Sequence, residues 1–82
     1  MQRAEIIDAF VDEVEMMAPS NYGDFKRKLD LQVLRLAEKL APSTPDMGRR
    51  VYDFKEQVIF KPLNDCEAAR QIALELAESL RN

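Results

Sequence analysis

The stretch Leu40–Phe54, "LAPSTPDMGRRVYDF", decides the fold because it sets where one helix ends and the next begins. Pro42 ends the helix that precedes this stretch, since a proline has no backbone N–H to donate. Thr44 then precedes Pro45 and Asp46, an order typical of a helix start: a capping hydroxyl, a proline in the first turn and a carboxylate near the positive end of the helix dipole. We therefore predict a sharp corner between two helices rather than a binding loop. Thr44 is the predicted cap of the helix that follows the corner.

Apolar residues recur at helical spacing on both sides of this corner. The stripe before it contains Tyr22, Phe25, Leu29, Val33, Leu36 and Leu40, and the stripe after it contains Met47, Val51, Phe54 and Val58. Steps of three and four residues place each set on one face of a helix. Ser20 or Asn21 is the expected cap of the first of these helices. The clustered β-branched and aromatic residues in 58–63 leave a short strand as an alternative for the end of the other.

Two further helices are expected at the ends of the chain. Ala4–Ala18 gathers its apolar residues on one face and ends before Pro19. Asn64 with Glu67 three residues later predicts a capping box for the last helix. The stripe of that helix contains Cys66, Ala69, Ile72, Ala73, Leu76 and Leu80. Four helices with short connections predict an all-α, up-down four-helix bundle in a single domain, residues 1–82, with an irregular four-helix array as the alternative.

Composition narrows the class of protein. With 46% apolar and 33% charged residues the chain is expected to fold as a globular domain. It contains neither the apolar run of about 20 residues that spans a bilayer nor a signal-peptide pattern, so we expect a cytoplasmic protein that does not enter membranes. Its one cysteine, Cys66, cannot form an internal disulfide.

The residues needed for catalysis are poorly supplied. The sequence has no histidine, the usual proton shuttle near neutral pH, and its serines have no evident base to activate them. Cys66 lies between two acidic residues, which disfavour a reactive thiolate. Asp8, Asp12 and Glu15 lie one turn apart on a single helix, a spacing that rarely converges on a metal ion. We therefore expect no enzymatic activity, no cofactor and no metal site.

Charged residues allow two interpretations. The basic residues form two clusters, Lys26, Arg27 and Lys28 in the second helix and Arg49 and Arg50 in the third. In an antiparallel hairpin the first cluster would face the acidic end of the first helix and pair with it. If both clusters joined into one patch, they would instead support a regulatory nucleic-acid-binding protein, although the net charge of −3 argues against a general one. In a simple bundle the two clusters lie at opposite ends.

Several apolar residues fall outside the core stripes, and they give the strongest functional signal. Leu31 and Leu74 lie off the stripes of their helices, and Leu34, Tyr52 and Ile59 flank theirs. Several such residues on one surface are typical of an interface. We therefore predict a non-enzymatic helical interaction module, either a homodimer or a small regulatory subunit that binds another protein. The predicted partner-binding residues are Leu31, Leu34, Arg35, Arg49, Arg50, Tyr52 and Ile59.

Overall fold

The computed structural model describes residues 2–61 and 64–81, and within them the fold is all-α, as predicted. The four helices are α1 (Arg3–Met16), α2 (Tyr22–Leu40), α3 (Met47–Lys55) and α4 (Cys66–Ser79). α2 continues into a 3₁₀ turn, Ala41–Ser43, and α3 continues into a π-helical segment, Glu56–Phe60. The alternative of a short strand in 58–63 is therefore wrong for residues 58–61, while residues 62 and 63 lie outside the described part of the chain.

Contacts between the ends of the helices fix the topology. The Tyr22 hydroxyl donates to the carbonyl of Val58 at 3.3 Å, so the start of α2 meets the segment that follows α3. Arg3, the first residue of α1, donates to the carbonyl of Leu80 at the end of α4. Both pairs of helices are therefore antiparallel, as in the predicted up-down order. α2 and α4 each contact the other three helices.

The core follows the predicted stripes closely. α4 buries three alanines one turn apart, Ala69, Ala73 and Ala77. Their small side chains allow α4 to approach α2 across the middle of the bundle. The larger buried side chains of the helices and the π segment are Ile7, Phe10, Val14, Phe25, Leu29, Val33, Leu36, Leu40, Met47, Phe54 and Val58. Leu74 was expected outside the core, but it is half-buried and packs against it.

The helix caps confirm one prediction and correct another. The Asn21 side chain accepts a hydrogen bond from the backbone N–H of Asp24, so Asn21 caps α2 as expected. The prediction that Asn64 caps α4 is wrong. Asp65 caps it instead, because Asp65 immediately precedes the first helical residue and has the extended backbone of a cap; its carboxylate accepts from the backbone N–H groups of Glu67 and the next residue.

The stretch after α2 forms a corner between two helices, but Thr44 does not cap α3. α3 begins at Met47, three residues after Thr44, so the predicted cap is too early. The backbone carbonyl of Thr44 accepts from the N–H of Met47, and its buried hydroxyl accepts from the guanidinium of Arg3 at 2.8 Å. Arg3 also donates to the hydroxyl of Ser43. One arginine therefore connects the start of α1, the α2–α3 corner and the end of α4.

Candidate interaction surface

Four large apolar side chains on α2, α3 and the π segment are exposed. Leu31 is 46% exposed, Leu34 37%, Tyr52 50% and Phe60 64%. The sequence predicted the first three as binding residues, and it missed Phe60. The remaining large exposed apolar residue of the described chain is Met16, at the end of α1.

An ion pair between α2 and α3 places Leu34 and Tyr52 near each other on adjacent helices. The Lys55 ammonium group lies 3.0 Å from the carboxylate of Asp30. Leu34 is one turn after Asp30, and Tyr52 is three residues before Lys55, so each lies beside the ion pair on its own helix. Because α2 and α3 are antiparallel, Leu34 and Tyr52 are also at the same level along the bundle.

The π-helical segment brings Phe60 beside Tyr52. Their ring centroids are 6.2 Å apart, with the ring planes inclined at 54°. In a regular α-helix two residues eight positions apart point about 80° away from each other. A π turn holds more residues, so each rotates less, and the two rings come to the same side. We call Leu31, Leu34, Tyr52 and Phe60 the α2–α3 surface.

Other predicted binding residues lie elsewhere. Ile59 is half-buried and packs against the core. Arg50 faces α4, where its guanidinium donates to the hydroxyl of Ser79 at 2.7 Å; it also donates to the carboxylate of Asp46, at the start of α3, at 3.0 Å. The hydrogen bond from Arg50 lowers the pKa of Asp46. Arg35 is exposed on the side of α2 that faces α1.

Arg49 is exposed in the first turn of α3, and it completes the set of predicted binding residues. Among the described residues, Arg35 and Arg49 form no ion pair within 4.0 Å. The structure therefore brings together the apolar members of the predicted set on α2 and α3, apart from Ile59. Arg35 and Arg50 lie on other sides of the bundle, towards α1 and α4.

The basic residues do not form one patch. The Lys26 ammonium lies 5.6 Å from the centre of the Tyr22 ring, and Arg27 lies 3.9 Å from Asp24, both near the start of α2. Arg49 and Arg50 are at the start of α3, which is at the opposite end of the bundle because α2 and α3 are antiparallel. The arrangement expected of a nucleic-acid-binding face is therefore lacking among these five residues.

Arg70 donates hydrogen bonds to the backbone at the end of α1, a role that the sequence did not reveal. The expected ion pairs between the acidic end of α1 and Lys26, Arg27 and Lys28 are not formed. Instead, the Arg70 guanidinium donates to the backbone carbonyls of Val14, Glu15 and Met17. It also pairs with Glu67 at 3.1 Å and lies 5.4 Å from the centre of the Phe25 ring. No local signal marks this contact, because it joins residues more than 50 positions apart.

Reactive and metal-binding groups are sparse in the part of the chain that the structure describes. No cluster of three or more histidine, cysteine, aspartate or glutamate residues there could hold a metal ion. Cys66 is half-buried, and its thiol lies 3.5 Å from the carbonyl oxygen of Ser20. Neither residues 2–61 nor 64–81 contain a helix that could span a membrane. Comparison with protein-family models, curated proteins and solved structures finds no match for this chain.

Proposed function

We propose that this protein is a non-enzymatic helical interaction module that forms a homodimer in the cytoplasm. The observation that carries the proposal is the α2–α3 surface, four exposed apolar side chains on adjacent elements of one bundle. Scattered single apolar residues are normal on protein surfaces, but a group on neighbouring helices is typical of an interface.

The core of the bundle is complete without the α2–α3 surface. The interior is already filled by the buried stripes of all four helices, and Leu31 and Leu34 point away from it. A partner would remove these side chains from water. Burying apolar surface contributes about 25 cal/mol per Å², so a few leucines and aromatic rings can form the centre of a small interface.

The first test is the oligomeric state of Leu31→Glu. Light scattering after size-exclusion chromatography should show a wild-type dimer at micromolar concentration and a Leu31→Glu monomer with unchanged helical circular dichroism. Met16→Glu is the matched control, since it adds the same charge at an exposed apolar residue outside the α2–α3 surface. Loss of the dimer in both variants, or a monomeric wild type, would contradict the proposal.

Salt separates this function from the alternative of nucleic-acid binding. An apolar dimer should survive about 0.5 M salt, because the hydrophobic contribution is not screened. Binding of nucleic acid through Lys26, Arg27, Lys28, Arg49 and Arg50 would weaken strongly at that concentration, because it depends on the release of counterions. A monomeric protein with salt-sensitive binding to an anionic polymer would favour the alternative. The separation of the two basic clusters disfavours this alternative.

A further inference from the structure

One continuous exposed ridge runs along the outer face of α2. Its members are separated by alternating steps of three and four residues, the spacing of a coiled-coil seam. All of them are exposed, and the last one is in the 3₁₀ turn that extends the helix. We call this set the α2 ridge: Asp24, Arg27, Leu31, Leu34, Glu38 and Ala41.

The order of charges along the α2 ridge makes it complementary to a reversed copy of itself. A basic residue, Arg27, precedes the two leucines by one turn, and an acidic residue, Glu38, follows them by one turn. If a second copy lies antiparallel across a two-fold axis midway between Leu31 and Leu34, each Leu31 faces Leu34 of the second copy. Each Arg27 then faces Glu38 of the second copy, so both charge pairs are opposite in sign.

Two other pairings of the same ridge bring like charges together. A parallel arrangement would place Arg27 against Arg27 of the second copy and Glu38 against Glu38 of the second copy. An antiparallel arrangement centred on Leu31 would place Asp24 opposite Glu38 of the second copy. Like charges at an interface disfavour the wrong register, even where exposed ion pairs add little to affinity. The charges therefore favour the register centred between the two leucines over both of these pairings, and a shift by one heptad is disfavoured because it places a leucine opposite Arg27 or Glu38.

We propose that the homodimer forms by antiparallel pairing of α2 with α2 of a second copy, with the two-fold axis between Leu31 and Leu34. This inference rests on the proposed function, and it adds the register. Tyr52 supports it, because the Asp30–Lys55 ion pair places Tyr52 at the level of Leu34, close to the axis. The tyrosines of both copies lie on the same side of the paired helices, and they extend the apolar contact beyond α2.

Like charges on the side of the paired α2 helices away from α3 limit the affinity of the dimer. Lys28 and Arg35 flank the α2 ridge on the side away from α3, and both are exposed. In the proposed register Lys28 lies near Arg35 of the second copy, so two pairs of like charges oppose the dimer. Arg35→Glu should convert both into attractive pairs. A substitution that tightens the dimer is therefore a specific consequence of this register.

The central experiment is a charge-reversal cycle at Arg27 and Glu38, read by sedimentation equilibrium. Arg27→Glu and Glu38→Arg should each weaken the dimer by about tenfold or more, because each replaces two attractive pairs with two repulsive ones. The double variant should recover wild-type affinity within about threefold, since every pair is then opposite in sign again. Both residues are exposed, and circular dichroism should show an unchanged fold.

The outcomes distinguish the register from the proposed function. A dimeric wild type whose two reversals do not rescue each other would overturn the register and leave the homodimer standing. A monomeric wild type would overturn both. Glu75→Arg, on the outer side of α4, is the matched control for Glu38→Arg and should leave the dimer unchanged. Arg35→Glu supports the register if it tightens the dimer, and it contradicts the register if it weakens it.

Discussion

The side of the bundle formed by α1 and α4 differs sharply from the α2–α3 surface. On the α1–α4 side, Arg70 donates to the carbonyls at the end of α1, and Arg3 donates to the carbonyl of Leu80. Both arginines satisfy backbone groups that the helices leave without an internal partner. On the α2–α3 surface, by contrast, Leu34 and Tyr52 remain exposed beside a single ion pair.

This difference separates residues that stabilise the monomer from residues that are free to bind. Arg70 is held by several hydrogen bonds, so changing it perturbs the packing of two helices. Leu31 makes no comparable contribution, because nearly half of it is already exposed. Substitutions on the α1–α4 side should therefore change the free energy of unfolding, whereas those on the α2–α3 surface should change association.

Removing Arg70 should have the largest effect on stability, and it tests the role of the α1–α4 side. Arg70→Ala should lower the free energy of unfolding by about 2–4 kcal/mol, because it leaves the carbonyls at the end of α1 without donors and removes the cation from the ring of Phe25. Urea unfolding of the variant in the monomeric Leu31→Glu background would measure this loss separately from dimerisation. Gln71→Ala, an exposed neighbour on α4, is the control. A loss below about 0.5 kcal/mol would show that the α1–α4 side is not stabilised in this way.

Removing the cap of α4 should lower the free energy of unfolding by a smaller amount, and the neighbouring residue provides a control. Asp65→Ala should cost about 1 kcal/mol, because the Asp65 carboxylate accepts from two backbone N–H groups in the first turn. Asn64→Ala should have little effect on unfolding, since the cap hydrogen bonds come from Asp65. Equal losses from the two substitutions would contradict the assigned cap. Thermal unfolding of both variants in the Leu31→Glu background provides the measurement.

The smallest expected effect is a pH dependence of the free energy of unfolding, caused by Asp46 at the start of α3. The hydrogen bond from Arg50 lowers the pKa of Asp46 in the folded protein, so this carboxylate stabilises the fold above its ordinary pKa of about 4. That contribution is lost as the pH falls through the lower folded pKa. The difference in stability between the wild type and Asp46→Asn should therefore shrink below about pH 4. A constant difference from pH 7 to pH 3 would exclude this linkage.

Local patterns were sufficient to predict the helices. Pro19 and Pro42 lie just beyond the ends of α1 and α2, and the apolar spacing of α2 matches its buried face. The caps were harder, because a cap depends on which residue adopts the extended backbone. Asn64 and Asp65 are both suitable by type, and the backbone conformation selects Asp65.

Long-range contacts and irregular helices account for what the sequence left unpredicted. Arg3 contacts Leu80, 77 positions away, and no local pattern indicates such a pairing. Phe60 joins the candidate surface through the π segment, which the regular helical spacing does not anticipate. Leu74 was misplaced for a related reason: the packing around α4 buries more of its circumference than its apolar stripe.

The most direct test of the homodimer is a dilution series of amide NMR spectra, from millimolar to low micromolar protein. If the protein dimerises through α2, concentration-dependent shifts should be confined to the α2 ridge and Tyr52, and the amides of α1 and α4 should remain constant. The midpoint of the shifts should agree with the dissociation constant from sedimentation. Spectra that do not change with concentration, or shifts confined to α1 and α4, would contradict the account.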